Sequence, residues 1–132
     1  MIDQRYLAGD YLASTGDWHE GDAAWKAGHI ADLLAALPAP PRTIGDVGCG
    51  TGGVLDHLIR RLGGDVQGTG YEIAPEAAAL ARRRIRPGLD VRQQSLFDTD
   101  DRFDLLVSCD VFEHVPDYLG FLANMRRHGD AF

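Results

Sequence analysis

The sequence predicts an α/β chain built on an open, doubly wound parallel sheet. Three observations predict it. Short apolar runs alternate with stretches of helical period, glycine or proline punctuates the junctions, and a glycine-rich turn joins the first run to the helix after it. Strands that alternate with helices connect through helical crossovers, which place helices on both faces of a parallel sheet.

Each element follows in turn. Residues 1–22 are polar, and Gly9, Gly16 and Gly21 interrupt any long helix. Ala23 to Leu37 reads as a helix, because Trp25, Ile30, Leu33, Leu34 and Leu37 recur at helical spacing. Asp22 can cap it by accepting from open amides of the first turn. Trp25 reads as a core contact and Lys26 as a solvated charge. Pro38-Ala39-Pro40-Pro41 stops the helix and stiffens the connector. Thr43 to Val47 is a short strand. Gly53 to Leu62 is a helix with Val54, Leu55, Leu58, Ile59 and Leu62 on its apolar side, ended by Gly63-Gly64.

Val66 to Tyr71 is the second strand, weakened by Gly68 and Gly70. Pro75 suits the first turn of a helix reaching about Ile85, and Pro87-Gly88 terminates it. Leu89 to Gln93 is a third strand, followed by a polar loop, Asp98 to Arg102. Phe103 to Ser108 contains Leu105-Leu106-Val107 and is a strong fourth strand. Asp117 to Arg127 is the helix after it. Two segments result: an N-terminal helical segment with its proline connector, residues 1–42, and the sheet-bearing half-domain, residues 43–132.

A chain of 132 residues, 45% hydrophobic and 25% charged, suits one soluble globular domain or part of one. The net charge of −7 disfavours a nucleic-acid or membrane-surface partner, which needs a basic footprint. Cys49 and Cys109 each close a strand, with no metal-type spacing, and read as reduced thiols in a cytoplasmic protein. No run approaches the length of a membrane span.

The chemistry concentrates at Asp46-Val47-Gly48-Cys49-Gly50-Thr51-Gly52-Gly53. Glycines after a strand and before a helix allow positive φ and close approach of a ligand, and the open helix amides add donors. Ligands of open parallel sheets bind at this carboxyl end. Gly48, Gly50 and Gly53 also satisfy GxGxxG, so the spacing alone admits a dinucleotide, or a tight turn with no ligand. Glu72 follows Gly53 by 19 residues, close to the ~20 expected of a carboxylate that accepts from both ribose hydroxyls.

Ile44 to Gly52 resembles the first motif of class I S-adenosylmethionine (SAM)-dependent methyltransferases, in which apolar residues, an acid and an apolar residue precede GxGxG. Gly70-Tyr71-Glu72-Ile73-Ala74-Pro75 resembles their second-strand motif. Ser108-Cys109-Asp110-Val111-Phe112-Glu113-His114-Val115-Pro116-Asp117 resembles the segment after their fourth strand. The three motifs lie in the family's order across residues 44–117.

The resemblance implies a Rossmann-like fold and SAM as cofactor. Gly48, Cys49, Gly50 and Gly52 would contact its methionine part with support from Asp46. Glu72 would hold the ribose, and Ile73, Ser95 and Leu96 would lie beside the adenine. The family usually has an acid at the position of Ser95, and Asp98 is the nearby substitute. Asp110 would line the pocket. His114 is the local candidate for a catalytic base or acceptor-orienting group, weighed against a histidine that only packs its loop. Glu113 reads as a loop carboxylate. Asp17-Trp18-His19-Glu20 reads either as a lid over the pocket or as a segment packing on the sheet. Arg82, Arg83, Arg84 and Arg86 read as a solvated helix face, with attraction of an anionic substrate as the alternative.

The expected function is methyl transfer to a small-molecule acceptor. The alternatives are an NAD(P)-binding oxidoreductase domain and a non-catalytic SAM-binding module. The family's sheet usually has seven strands, and four are placed here. The sequence therefore reads as truncated after the fourth strand and its helix, with self-association through that exposed edge as an expectation.

Overall fold

The structure is a computed structural model and describes residues 19–132. Trp18 and Asp17, half of the suggested lid, lie outside the described residues. A 3₁₀ turn, Glu20–Asp22, leads into helix α1, Ala23–Leu34. Then follow β1 (Thr43–Val47), α2 (Gly53–Leu62), β2 (Gln67–Tyr71), α3 (Pro75–Arg82) and β3 (Leu89–Arg92). The chain continues through a 3₁₀ turn at Leu96–Asp98, β4 (Phe103–Val107), a 3₁₀ turn at Phe112–His114, α4 (Tyr118–His128) and β5 (Gly129–Ala131).

The strands form one parallel sheet in the order β3-β2-β1-β4-β5. Central β1 pairs Ile44 with Gly68 of β2 and with Leu105 of β4. The order reverses at β1, so the crevice outside its carboxyl end is the place this topology offers a ligand.

Period-two alternation along the strands builds two cores. Ile44, Val91, Leu105 and Val107 pack with Leu34 of α1, Leu55, Leu58 and Ile59 of α2, and Ala81 of α3. Val47, Tyr71 and Leu106 pack on the opposite face with Leu96 and with Phe121 and Met125 of α4. The glycines that weaken β2 as a strand serve its packing. A Cβ at Gly68 would meet Ile59 at 3.0 Å, and one at Gly70 would meet the Cys49 sulfur at 2.7 Å.

The polar loop before β4 is tied down through Asp101. Its carboxylate accepts from the Tyr71 hydroxyl and from Arg92, both at 2.6 Å. Its carbonyl lies 2.7 Å from Nδ1 of buried His128.

Four expectations are corrected. A fifth strand exists: Phe103 pairs with Gly129 and Leu105 with Ala131, so the sheet edge is β5 and not β4. Three residues carry no period, and what places them is pairing plus the Arg102–Asp130 ion pair at 2.9 Å. Trp25 is 66% exposed and stacks edge-on with His29, so it is no core contact. Asp22 makes no side-chain cap bond, because its carboxylate pairs with Lys26 at 3.1 Å. The α1 helix ends at Leu34, and residues 35–37 continue as turns.

Among the described residues no helix is long and apolar enough to cross a membrane. An apolar groove of about 450 Å³ runs along the open edge, between Leu33 of α1, Leu37 just after it, Leu122 and Met125 of α4, and Phe132.

Candidate functional site

The turn after β1 is held by backbone bonds before any ligand is considered. The Gly48 and Cys49 amides donate to the Tyr71 carbonyl at 2.8 and 3.0 Å. The Gly52 amide closes back on the Cys49 carbonyl at 2.9 Å. Gly48 has φ +74°, and a Cβ there would lie 2.5 Å from Val111, so both conformation and space require glycine.

Glu72 comes directly after β2 and is 5% exposed. One carboxylate oxygen accepts from the Gly50 amide and the other from the Ala74 amide, each at 2.8 Å. Burial raises its carboxyl above the ordinary range, and these amide bonds oppose the rise. Asp46, in β1, is buried beside it. Burial first, and then the charge of Glu72, push the Asp46 carboxyl up to about 7.

Two adjoining cavities open here. The first, about 130 Å³, is lined by Asp46, Gly48, Cys49, Gly50, Glu72, Ile73, Asp110 and His114, all expected from the sequence. The second, about 280 Å³, is lined by Ser95 and Leu96, as expected, with Gln94 and Phe97. Gly48, Ile73 and Val111 border both cavities. The two together make one elongated, two-chambered site at the switch point of the sheet.

Some expectations fall elsewhere. Gly52 lines neither cavity; it faces α3, where a Cβ would meet Arg84 at 3.3 Å and Ala81 at 3.4 Å. Asp98 is exposed and lines neither cavity; Gln94, Asp117 and Asn124 are the polar side chains that line the second cavity with Ser95. The Ser95 hydroxyl accepts from the Phe97 amide at 3.2 Å and caps its turn. Glu113 is exposed, 3.8 Å from the His114 ring.

His19 and Glu20, from the suggested lid, do line the first cavity. Other lining residues were not expected, among them Ala23, Lys26, Val54 and Cys109. The Lys26 ammonium donates to Asp110, 84 residues away, and pairs with Asp22. Burial alone would lower its proton affinity, but the bonds and charges of Asp110 and Asp22 outweigh it and raise the value. Asp110 has φ +56°, a conformation that aspartate tolerates better than most residues, and this backbone carries the carboxylate that meets Lys26. Nothing in the sequence marked Lys26, because Asp22 and Lys26 at i,i+4 look like an ordinary surface pair.

Neither thiol is poised as a nucleophile. Burial, then Asp46 and Glu72, push the Cys49 thiol well above its ordinary value. Burial, then Asp46 and Asp110, push Cys109 up to about 11.

The arginine run is not simply a solvated face. Arg84 pairs with Asp56 at 3.0 Å and also with Glu20, and Arg86 pairs with Asp56 at 2.9 Å. Asp56 is buried, which alone would raise its carboxyl; hydrogen bonds from Arg84 and Arg60 hold it below the ordinary range.

Comparison with known proteins gives a consistent picture. A methyltransferase-domain family model matches residues 46–129. A ubiquinone biosynthesis O-methyltransferase from Methylobacterium sp. (strain 4-46) is 37% identical over 107 residues, covering 76% of this chain and 41% of the relative. Ajmaline N-methyltransferase from Rauvolfia serpentina is 31% identical over 134 residues, covering 85% of this chain and 45% of the relative. DesVI from Streptomyces venezuelae superposes with a TM-score of 0.64 at 25% identity, covering 97% of this chain and 53% of that one. The plantazolicin methyltransferase BpumL, solved with SAH, gives a TM-score of 0.68 at 15% identity and shares the fold. The chain spans less than half the length of the two curated relatives.

Proposed function

This chain belongs to the methyltransferase-domain family of class I SAM-dependent enzymes, and we propose that it binds SAM in the two-chambered site and methylates a small-molecule acceptor. The observation that carries the cofactor reading is Glu72. It is a buried carboxylate facing the first cavity and fastened through both oxygens to backbone amides. Each oxygen keeps acceptor capacity for a ribose diol.

The donor set fits the cofactor along its length. Ile73, Leu96 and Phe97 give the second cavity apolar walls for a flat base, with Ser95 and Gln94 as polar contacts. Gly48 and Gly50 let the backbone of the turn approach the amino-acid part, where Asp46 supplies negative character. The Lys26 ammonium lies in the same cavity and supplies the charge a carboxylate needs.

When bound, SAM supplies an electrophilic methyl group on a sulfonium that departs as neutral SAH. The task left to the protein is alignment, since held geometry can contribute several kcal/mol to such a displacement. His114 lines the first cavity and is the residue we assign to orienting the acceptor or taking its proton. Small-molecule acceptors accord with the names of the relatives, ubiquinone biosynthesis and ajmaline methyltransferases.

Calorimetric titration with SAH and, separately, NADH tests the cofactor. SAH should bind and NADH should not; the reverse result would overturn the reading. Methyl transfer from radiolabelled SAM to a panel of phenols and amines tests turnover. SAH binding without transfer to any acceptor would favour the non-catalytic module.

A further inference from the structure

We propose that Arg84 is a positioning residue for the cofactor turn, locking it to the N-terminal segment that walls the first cavity. The inference rests on the cofactor reading above and extends it to a residue that touches neither cavity.

Arg84 follows α3 and reaches three places at once. Its Nε donates to the Thr51 carbonyl at 3.0 Å. One terminal nitrogen donates to buried Asp56 at 3.0 Å, and the other to Glu20. Glu20 in turn accepts from the Thr51 hydroxyl. The peptide unit between Thr51 and Gly52 is therefore gripped on both sides, its carbonyl by Arg84 and its N–H by the Cys49 carbonyl at 2.9 Å. A guanidinium is rigid and presents donors in a fixed fork, so it can set a peptide plane in a way a flexible ammonium cannot.

The packing agrees with this role. The space that a Cβ would take at Gly52 is occupied by the Arg84 stem at 3.3 Å. A Cβ at Gly53 would lie 3.0 Å from the Glu20 carboxylate. The last two glycines of the turn thus admit the lock, while Gly48, Gly50 and Gly53 line the cavity. Glu20 lies three residues before Ala23 and six before Lys26, and all three line that cavity. Fixing Glu20 to the turn fixes the wall that carries Lys26. Asp56 anchors the assembly from α2, where Arg60 and Arg86 share its charge.

Titration calorimetry with SAH, run where each variant is shown folded by circular dichroism, tests the proposal. Loss of charge-assisted bonds should weaken SAH binding about tenfold in Arg84→Gln. Glu20→Gln, at a partly exposed position, should weaken it several-fold without lowering the melting temperature much. Arg86→Gln removes a pair to the same Asp56 but touches neither Thr51 nor Glu20, and should stay within about twofold of wild type. Arg84→Lys should recover melting temperature through Asp56 while leaving affinity low.

Wild-type affinity in both Arg84→Gln and Glu20→Gln would overturn the proposal alone. An equal loss in Arg86→Gln would also overturn it, since any breach of the ion cluster would then suffice. If Arg84→Gln does not fold, Glu20→Gln decides: weakened binding supports the lock and unchanged binding refutes it. No SAH binding by the wild-type chain would overturn the cofactor reading and this inference with it.

Discussion

Asp46 and Glu72 lie at the carboxyl ends of adjacent strands, where Asp46 pairs with Gly70 two residues before Glu72, and both are buried and line the first cavity. Two carboxylates that share one cavity away from water resist both carrying full charge. Burial first, and then the charge of Glu72, push the Asp46 carboxyl up to about 7.

That pairing predicts proton release on cofactor binding. Below pH 7 the free chain holds a proton on Asp46, and a cationic ligand beside it favours the carboxylate. Calorimetric titration with SAM near pH 6.5, in two buffers of different ionisation enthalpy, should give different observed enthalpies. In Asp46→Asn the two enthalpies should coincide. Equal enthalpies in the wild-type chain would count against a cation beside Asp46.

The same group sets a stability slope. The folded value of about 7 lies above the unfolded value of about 3.9, so the folded chain holds this proton more tightly. Its contribution is complete below about pH 4 and is lost as pH rises through about 7. A tenfold difference in proton affinity corresponds to about 1.4 kcal/mol. Asp46→Asn should therefore gain melting temperature relative to wild type as pH goes from 4.5 to 8. A constant difference across that range would refute the assignment.

Glu72→Ala should both loosen the turn and remove the ribose acceptor. It deletes two bonds to amides, each charge-assisted and worth about 1.5–3 kcal/mol. SAH affinity should fall at least tenfold. Glu72→Gln should not rescue it fully, because one amide N–H would then face an NH₂ group. Affinity unchanged in both variants would remove Glu72 from the site.

Lys26→Met should separate the two ends of the ligand. The variant loses the ammonium that pairs with Asp110 and Asp22, which we propose to be the counter-charge for the carboxylate end of SAH. Affinity for SAH should fall while affinity for methylthioadenosine, which lacks the amino-acid part, stays the same. Parallel losses would show that Lys26 shapes the cavity as a whole.

Gly48→Ala should be disabling. The new Cβ meets Val111 at 2.5 Å in a backbone at φ +74°, and such strain costs about 1–3 kcal/mol. Adding Val111→Ala should recover only the steric part of the lost melting temperature. Full recovery would mean that φ at Gly48 imposes no strain.

What could be read in the chain was whatever is written locally. The alternation of apolar runs with helical periods specified β1 to β4 and their helices, since each element must bury one face whatever its neighbours are. The glycine turn and Glu72 were legible because their chemistry follows from residue type at short, set distances from a strand end. Trp25 shows the limit: its helical period names a face but not whether anything covers that face, and here it is 66% exposed. The three residues of β5 have no period, and only an open edge on β4 makes them a strand. Lys26 with Asp110 and Arg84 with Glu20 are separated by 84 and 64 residues. Charges at such separations look alike in sequence whether solvated or paired. Crossovers that bring the chain back across the sheet decided their partners, and with them the wall of the site.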